Sequence, residues 1–195
     1  AVKSQIFVSR FSFFSPFVRS GAVEDIAFAV SPLCTHVARV FEWDSFVVGR
    51  ITPRSGCGDA GFRRHARRHH VPLERVPSVN APAFVASLRA RAVDLLVSVA
   101  CPQILRREIL AVPAKGAINL HGALLPDYRG LLPGFWVLAN GESHAGATVH
   151  YMSEQVDQGP VILQERVPIR ADDTVHTLVR RTKVEVGAAL LIRAL

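Results

Sequence analysis

Along this chain the apolar positions come in short blocks that switch between two periods from Glu24 onward. "DIAFAV" (25–30), "SFVVGRI" (45–51) and "VDLLVSVA" (93–100) are brief apolar runs of the kind that form buried strands. "LCTHVARVF" (33–41), "GFRRHARRHH" (61–70) and residues 81–91 repeat at helical spacing, the last with Phe84, Val85 and Leu88 on one face. "LERV" (73–76) predicts a short strand, "PQILRREIL" (102–110) a helix opened by a proline, and "GAINLH" (116–121) the next strand. Such βαβα alternation predicts an α/β, Rossmann-like fold: an open, mostly parallel twisted sheet with helices on both faces.

Beyond His121 the pattern changes. A Pro/Gly loop, "GALLPDYRGLLPG" (122–134), leads into a predicted helix "FWVLANG" (135–141). "GATVHYM" (146–152) and "GPVILQERV" (159–167) predict two strands joined by "SEQVDQ". From Asp172 to the end one amphipathic helix is expected. Val175, Leu178, Val179, Val186 and Leu190 form its apolar stripe, and the acidic pair 172–173 sits at its amino end. Residues 1–24 stand apart, with Lys3, Arg10 and Arg19 and no acid before Glu24. They are expected to be an amino-terminal arm or extension with a packed strand, an organellar presequence being the alternative. Residues 25–195 are expected to form one domain.

Composition narrows the class. With 195 residues, 49% hydrophobic and 20% charged, the chain can build a full core. No run approaches the roughly 20 apolar residues that cross a bilayer, so no membrane is expected. Cys34, Cys57 and Cys101 are odd in number and form no C-x-x-C pair, which points to a reducing, cytoplasmic setting without a disulfide framework or a structural metal. The net charge of +7 suggests a polyanion partner, but all basic residues except Lys3, Lys115 and Lys183 are Arg. Beside so much Ala and Val, that reads as compositional bias.

Two motifs carry little. "GCGDAG" (56–61) matches G-x-G-x-x-G, yet it does not follow directly on the first strand and nothing acidic lies in the required place apart from Glu74. His65, His69 and His70 include an i,i+4 pair, but Arg63, Arg64, Arg67 and Arg68 surround them and would repel a cation. That stretch reads as a solvated basic face. If it instead binds nucleic acid, the binding is salt-sensitive and survives loss of His121.

Asn119 and His121 are different. A central parallel strand is normally apolar on both faces, and here the face opposite Ile118 and Leu120 carries an amide and an imidazole. The strand's carboxyl end is where ligands bind in open α/β sheets. Both a pair of satisfied core polar groups and a reactive pair fit that spacing. Asp157, in a tight Asp-Gln-Gly loop between the last two strands, reads equally as an Asx-turn residue or as a partner for His121. An amide, an imidazole and a carboxylate together suit acyl transfer to an amine. The amide donates to an oxyanion, the imidazole moves a proton, and the carboxylate orients the imidazole.

"INLHGALLPDYRG", with "VDQGPVILQE" placing Asp157 36 residues after His121, strongly resembles the folate-dependent formyltransferase family. The resemblance runs from about Ile26 to the carboxyl end and is sharpest over 116–164. It implies 10-formyltetrahydrofolate as formyl donor and no metal, with Asn119, His121 and Asp157 in the catalytic positions. By the same resemblance Gln103, Ile104, Leu105, Val156 and Asp157 line the folate site, and Tyr128 and Arg129 face the acceptor. The partners expected are a small-molecule amine and a second copy of the chain in a homodimer, with nucleic acid disfavoured. Ala123 departs from the family's usual Ser. "VSPLC" after the first predicted strand lacks the Gly/Ser-rich phosphate cradle of the glycinamide ribonucleotide branch, and the extra barrel domain of the methionyl-tRNA branch is not in this sequence. "GLLPGFWVLANGE" is most similar to the branch acting on nucleotide-linked amino sugars. Methionyl-tRNA-type and glycinamide-ribonucleotide-type activities are the alternatives, and a catalytically silent member is a third.

Overall fold

Residues 5–10, 25–30 and 73–195, apart from 100 and 102, are described by the computed structural model, with side chains from Val76 onward. The predicted elements at 33–41 and 45–51, the loop 56–61 and the basic helix 61–70 lie outside the described residues, as do Pro72 and the histidines near it. The chain divides into two units, Ala1–Ile118 and Asn119–Leu195.

In the first unit the strand order is β3-β1-β2-β4. Here β1 is Gln5–Arg10, β2 Asp25–Val30, β3 Leu73–Arg75 and β4 Leu95–Val99. β2 and β4 run parallel, as the alternation predicts, with Ile26 opposite Leu95 and Val30 opposite Val99. β1, from the amino-terminal arm, is antiparallel to both β2 and β3. All five residues of β4 are buried, Ser98 among them, which accounts for its mostly apolar run. Helix α1 (Pro82–Ala90) opens on a proline and buries Phe84, Val85 and Leu88, the face its spacing predicts.

The expected helix over 102–110 shortens to α2, Arg107–Leu110. Side chains from a distant turn hold the preceding residues in place. Gln103 accepts from the Val79 N–H at 2.8 Å and donates to the Pro77 carbonyl at 3.0 Å. Asn80 donates to the Ile104 carbonyl at 2.9 Å and accepts from the Arg106 N–H at 2.9 Å. The Ile104 carbonyl and the Arg106 N–H would otherwise belong to a helical ladder, and the Asn80 side chain replaces it there.

In the second unit the order is β5-β6-β7, with β5 (Ala117–His121) beginning two residues before the unit boundary. β6 (His144–Tyr151) is antiparallel to β7 (Val161–Pro168), with a register shift between Val149 and His150. Helix α3 spans Pro133–Ala139, two residues earlier than its apolar pattern predicts, because Pro133 opens it. Val137, Ala145 and Leu178 form a buried cluster, with Tyr128, Leu138 and Ile169 packed against it.

The carboxyl-terminal segment is three pieces rather than one amphipathic helix: α4 (Val175–Val179), a π-helical stretch Arg180–Val186, and α5 (Gly187–Ala194). Thr174 caps α4, its hydroxyl accepting from the Thr177 N–H while Thr177 reaches back to the Thr174 N–H. The wider turn changes which side chains face inward. Leu178 and Leu190 are buried as the stripe predicts, whereas Val175 is exposed and Arg181, Thr182 and Val184 are buried instead. Arg181 pairs with Asp173 and donates to the Pro168 carbonyl at 3.0 Å. At Gly187 a Cβ would meet the Thr182 carbonyl oxygen at 2.6 Å and a Leu120 methyl at 3.0 Å, so α5 sits against β5 only because that residue is glycine.

Candidate active site

β5 turns Asn119 and His121 to the same side, and β6 turns His150 to meet them. Thr148 and His150 repeat on β6 the spacing of Asn119 and His121 on β5, two polar groups at i,i+2 inside a buried strand. The register shifts between Val149 and His150, where β7 carries one extra residue, Ile162.

Asp157 closes the cluster. It sits in the β6–β7 loop with a left-handed backbone (φ 51°), a conformation rarely adopted by a residue with a side chain. Its Oδ2 accepts from the Gly130 N–H at 2.9 Å and lies 3.4 Å from Nδ1 of His121. Its Oδ1 lies 3.4 Å from both Nε2 of His150 and Nδ2 of Asn119. Gly159, two residues on, allows the loop to fold this tightly. A Cβ there would stand 1.8 Å from the Tyr151 carbonyl oxygen.

Hydrogen-bond partners fix the proton positions. Nε2 of His121 lies 2.8 Å from the Tyr128 carbonyl, which can only accept, so Nε2 carries the hydrogen. Nδ1 of neutral His121 therefore presents its lone pair towards Asp157. Nδ1 of His150 likewise donates to the Tyr151 carbonyl at 2.7 Å, and its Nε2 accepts from Asn119 Nδ2 at 3.1 Å. Both N–H bonds of Asn119 are thus directed at neighbours. The one to Asp157, at 3.4 Å, is at the outer limit of a hydrogen bond and is the more easily redirected.

The electrostatics follow from burial. His121 is 6% exposed, and burial pulls its pKa below the ordinary imidazole value. The Asp157 charge and the Tyr128 carbonyl oppose that pull without cancelling it, while the charge of Lys183 adds to it. Burial pushes the Asp157 carboxyl up, but His150, the His121 charge and the Gly130 N–H outweigh it and hold the pKa below the usual carboxylate range. At neutral pH the site holds an uncharged imidazole beside a carboxylate.

The loop of 122–132 is stitched around this cluster. The buried Thr148 hydroxyl donates to the Ala123 carbonyl at 2.6 Å and accepts from the Leu125 N–H at 3.2 Å. Gln164 donates both to that hydroxyl and to the Leu125 carbonyl. The peptide Leu125–Pro126 is cis. Tyr128, also left-handed (φ 54°), donates its phenolic hydrogen to Glu142 and accepts from Asn140. Ala123 is fully buried, so a strand-side hydroxyl comes here from Thr148 rather than from residue 123.

The remaining expected site residues are placed as follows. In the first unit both ends of the Gln103 amide are bonded to the 77–79 backbone, Leu105 is buried, and Ile104 is 63% exposed. In the second unit Val156 is 46% exposed, Tyr128 is half-buried and Arg129 is exposed. Among the described residues no group of three or more His, Cys, Asp or Glu side chains could hold a metal, and no helix is long and apolar enough to cross a membrane. His150 is the member of the cluster that reading the sequence misses. Its signal is the Thr148/His150 alternation in an otherwise apolar strand, the same signal that singles out Asn119 and His121.

Comparison with known proteins bears on the family and the fold. A family model described as formyl transferase matches residues 63–195. The methionyl-tRNA formyltransferase of Trichlorobacter lovleyi is 38% identical over 126 residues, covering 65% of this chain and 40% of that protein. The chain thus spans less than half the length of that curated relative. A glycinamide ribonucleotide transformylase from Symbiobacterium toebii superposes with a TM-score of 0.61 at 34% identity, over 74% of this chain and 70% of its own. A sugar N-formyltransferase from a Shewanella species gives a TM-score of 0.52 at 31% identity, over 58% of this chain and 44% of its own. These neighbours bear out the predicted α/β fold class.

Proposed function

The chain belongs to the formyl transferase family, and on that premise we propose that it transfers a formyl group from 10-formyltetrahydrofolate to a primary amine. The observation that carries this reading is the convergence of Asn119, His121 and Asp157, with His150, in one hydrogen-bonded cluster. In this proposal residues 25–195 act as the catalytic domain and 1–24 as its extension.

The donor fits the residues present. Ile104 and Val156 each expose apolar surface, which suits a flat heteroaromatic ring. The donor-binding residues proposed are Gln103, Ile104 and Leu105 in the first unit and, separately, Val156 and Asp157 in the second. When bound, the donor supplies the formyl carbon that the amine attacks.

The chain's own groups then do the following. Asn119 redirects its loosely held N–H to the formyl oxygen as negative charge develops there. His121 uses the lone pair on Nδ1 to take the proton that the attacking amine must lose. The resulting imidazolium is held on both sides, by the Tyr128 carbonyl at Nε2 and by Asp157 at Nδ1. His121 then returns the proton to the departing nitrogen of the donor, and the bond from that nitrogen to the formyl carbon breaks. His150 keeps Asn119 and Asp157 in register. Tyr128 and Arg129 lie on the acceptor side.

For the acceptor we favour a nucleotide-linked amino sugar, on the similarity of "GLLPGFWVLANGE" to that branch. A second reading, a ribonucleotide amine, is favoured by the wider coverage of the Symbiobacterium structure. Incubating the protein with 10-formyltetrahydrofolate and a panel of amines, with mass spectrometry of each for an added formyl group, tests the proposal. The panel includes an amino sugar nucleotide, glycinamide ribonucleotide and methionyl-tRNA. Formylation of one amine at a rate far above the protein-free reaction is expected. No formylated product from any of them contradicts it.

A further inference from the structure

We propose that Tyr128 and Glu142 are positioning residues for His121: the phenol, fastened at the α3–β6 turn, fixes the loop backbone whose carbonyl decides which imidazole nitrogen carries the proton. This role rests on the formyl-transfer reading for the use made of that proton, though not for the contact itself.

The turn is set by Asn140-Gly141-Glu142. Gly141 is left-handed (φ 66°), its N–H donates to the Leu138 carbonyl at 3.0 Å, and the Glu142 N–H donates to the Val137 carbonyl at 3.2 Å. That pair of bonds is a glycine-dependent helix stop, and it ties the turn to α3. The two side chains flanking Gly141 reach one phenolic oxygen. Tyr128 donates to a Glu142 carboxylate oxygen and accepts from Asn140 Nδ2 at 3.1 Å. The bond to Glu142 raises the phenol pKa, so the hydroxyl remains a donor across the neutral range. The rest of the side chain packs against the buried cluster of Val137, Ala145 and Leu178.

Tyr128 needs such fastening. Its backbone is left-handed (φ 54°), as are those of Gly130 (φ 86°) and Leu132 (φ 53°). A residue with a Cβ keeps that conformation only where its surroundings enforce it. Two groups of this backbone address the cluster: the Tyr128 carbonyl lies 2.8 Å from His121 Nε2, and the Gly130 N–H donates to Asp157 Oδ2 at 2.9 Å. With the hydrogen kept on Nε2, Nδ1 is the basic nitrogen. A carbonyl released from its place would make the other tautomer accessible. The same carbonyl favours the protonated imidazole, so its loss also lowers the His121 pKa.

Nitrogen NMR of protein isotopically labelled in its imidazole rings reads the tautomer and titration of His121 without turnover, the signal being assigned by its loss in His121→Asn. Tyr128→Phe keeps the ring and its packing but removes both phenol bonds, and Glu142→Ala removes the acceptor. In each, part of the neutral His121 population should carry its hydrogen on Nδ1, and the imidazole should titrate at lower pH. Formyl-transfer kcat should fall about three- to tenfold, the worth of one hydrogen bond, with KM for the donor nearly unchanged. Glu142→Gln keeps an acceptor oxygen without the charge and should restore most of each readout. Combining Tyr128→Phe with Glu142→Ala should do little more than either change alone. Thermal melts establish that the variants fold, and Glu142 is exposed, so its replacement leaves the core intact. An unchanged His121 tautomer and titration in folded Glu142→Ala overturns the proposal. So does a raised acceptor KM at unchanged kcat in Tyr128→Phe, which would make the phenol a binding group. A His121 tautomer that responds as expected in a protein that formylates nothing would leave the contact standing and overturn the formyl-transfer reading.

Discussion

Replacing Asp157 by Asn removes one charge from the cluster while keeping the side chain's shape and an oxygen for the Gly130 N–H. Oδ2 lies 3.4 Å from His121 Nδ1. At an effective dielectric of about 20, a carboxylate and an imidazolium at that distance attract by about 5 kcal/mol. The Asp157 side chain is 12% exposed, so water replaces part of that attraction when the charge is removed. The expected loss is about 3–4 kcal/mol in the activation free energy, roughly two to three orders of magnitude in kcat. KM for the donor should change far less, because the imidazolium exists only along the reaction path. The pH profile gives an independent sign. His121 must be neutral to take a proton, and its pKa is already lowered by burial, with Asp157 opposing. Removing the Asp157 charge lowers it further, so the acid limb of kcat/KM should move to lower pH even as the plateau falls. Combining Asp157→Asn with His121→Ala should cost little beyond the worse single change, since the two act as a unit. Steady-state kinetics of the two single variants and the double variant across the acid range measure all of this. Fully additive losses, or an acid limb displaced to higher pH, would refute the reasoning.

Other expected outcomes follow from the same geometry. Asn119→Ala should raise the activation free energy by about 2.7–4 kcal/mol, the range for loss of one oxyanion donor, with single-turnover rates as the measure. Gly159→Ala forces a methyl against the Tyr151 carbonyl, so denaturant unfolding should show at least about 1–3 kcal/mol lost, with turnover falling because the Asp157 loop moves. Thr148→Val strips the Leu125 N–H, the Ala123 carbonyl and Gln164 of a shared partner, and should cost about 1–3 kcal/mol in the same assay. Burial pushes the Asp173 carboxyl up, but the Arg170 N–H, the Thr177 hydroxyl and the Arg181 charge outweigh it, so its folded pKa is lowered like that of Asp157. Both contribute stability that is present above the ordinary carboxylate pKa and lost as pH falls through the lower folded value. Unfolding followed from pH 7 into acid should therefore show stability dropping below about pH 4, and less steeply in Asp173→Asn.

Local pattern revealed most of what it could reach. β2, β4, β5 and α1 lie where their apolar runs and spacing put them, and the paired polar residues of β5 do mark the cluster. The deviations come from distant partners. α2 is short because the Asn80 side chain, 24 residues or more away, takes the Ile104 carbonyl and the Arg106 N–H, while the Gln103 side chain is committed to the backbone of Pro77 and Val79. The π-helical stretch leaves no trace in an apolar stripe counted at the α-helical period, and Arg181, which that stripe leaves out, is buried against Asp173. His150 repeats the Asn119/His121 signal, but its meeting with Asn119 and Asp157 depends on strand pairing and a loop that no single segment reveals. The direction of the Asn119 amide, turned to His150 and Asp157, depends on three segments meeting and could not be read from any one of them.

The most direct measurement is transfer of an isotopically labelled formyl group from 10-formyltetrahydrofolate to the amine found in the acceptor screen, comparing the unaltered protein with His121→Ala. Both proteins should melt cooperatively. Label should appear on the amine with the unaltered protein and fall at least about a hundredfold with His121→Ala, since a positioned acid–base group is worth about 10²–10⁴ in rate. Equal label transfer by the two proteins would show that the chemistry does not run through the Asn119–His121–Asp157 cluster.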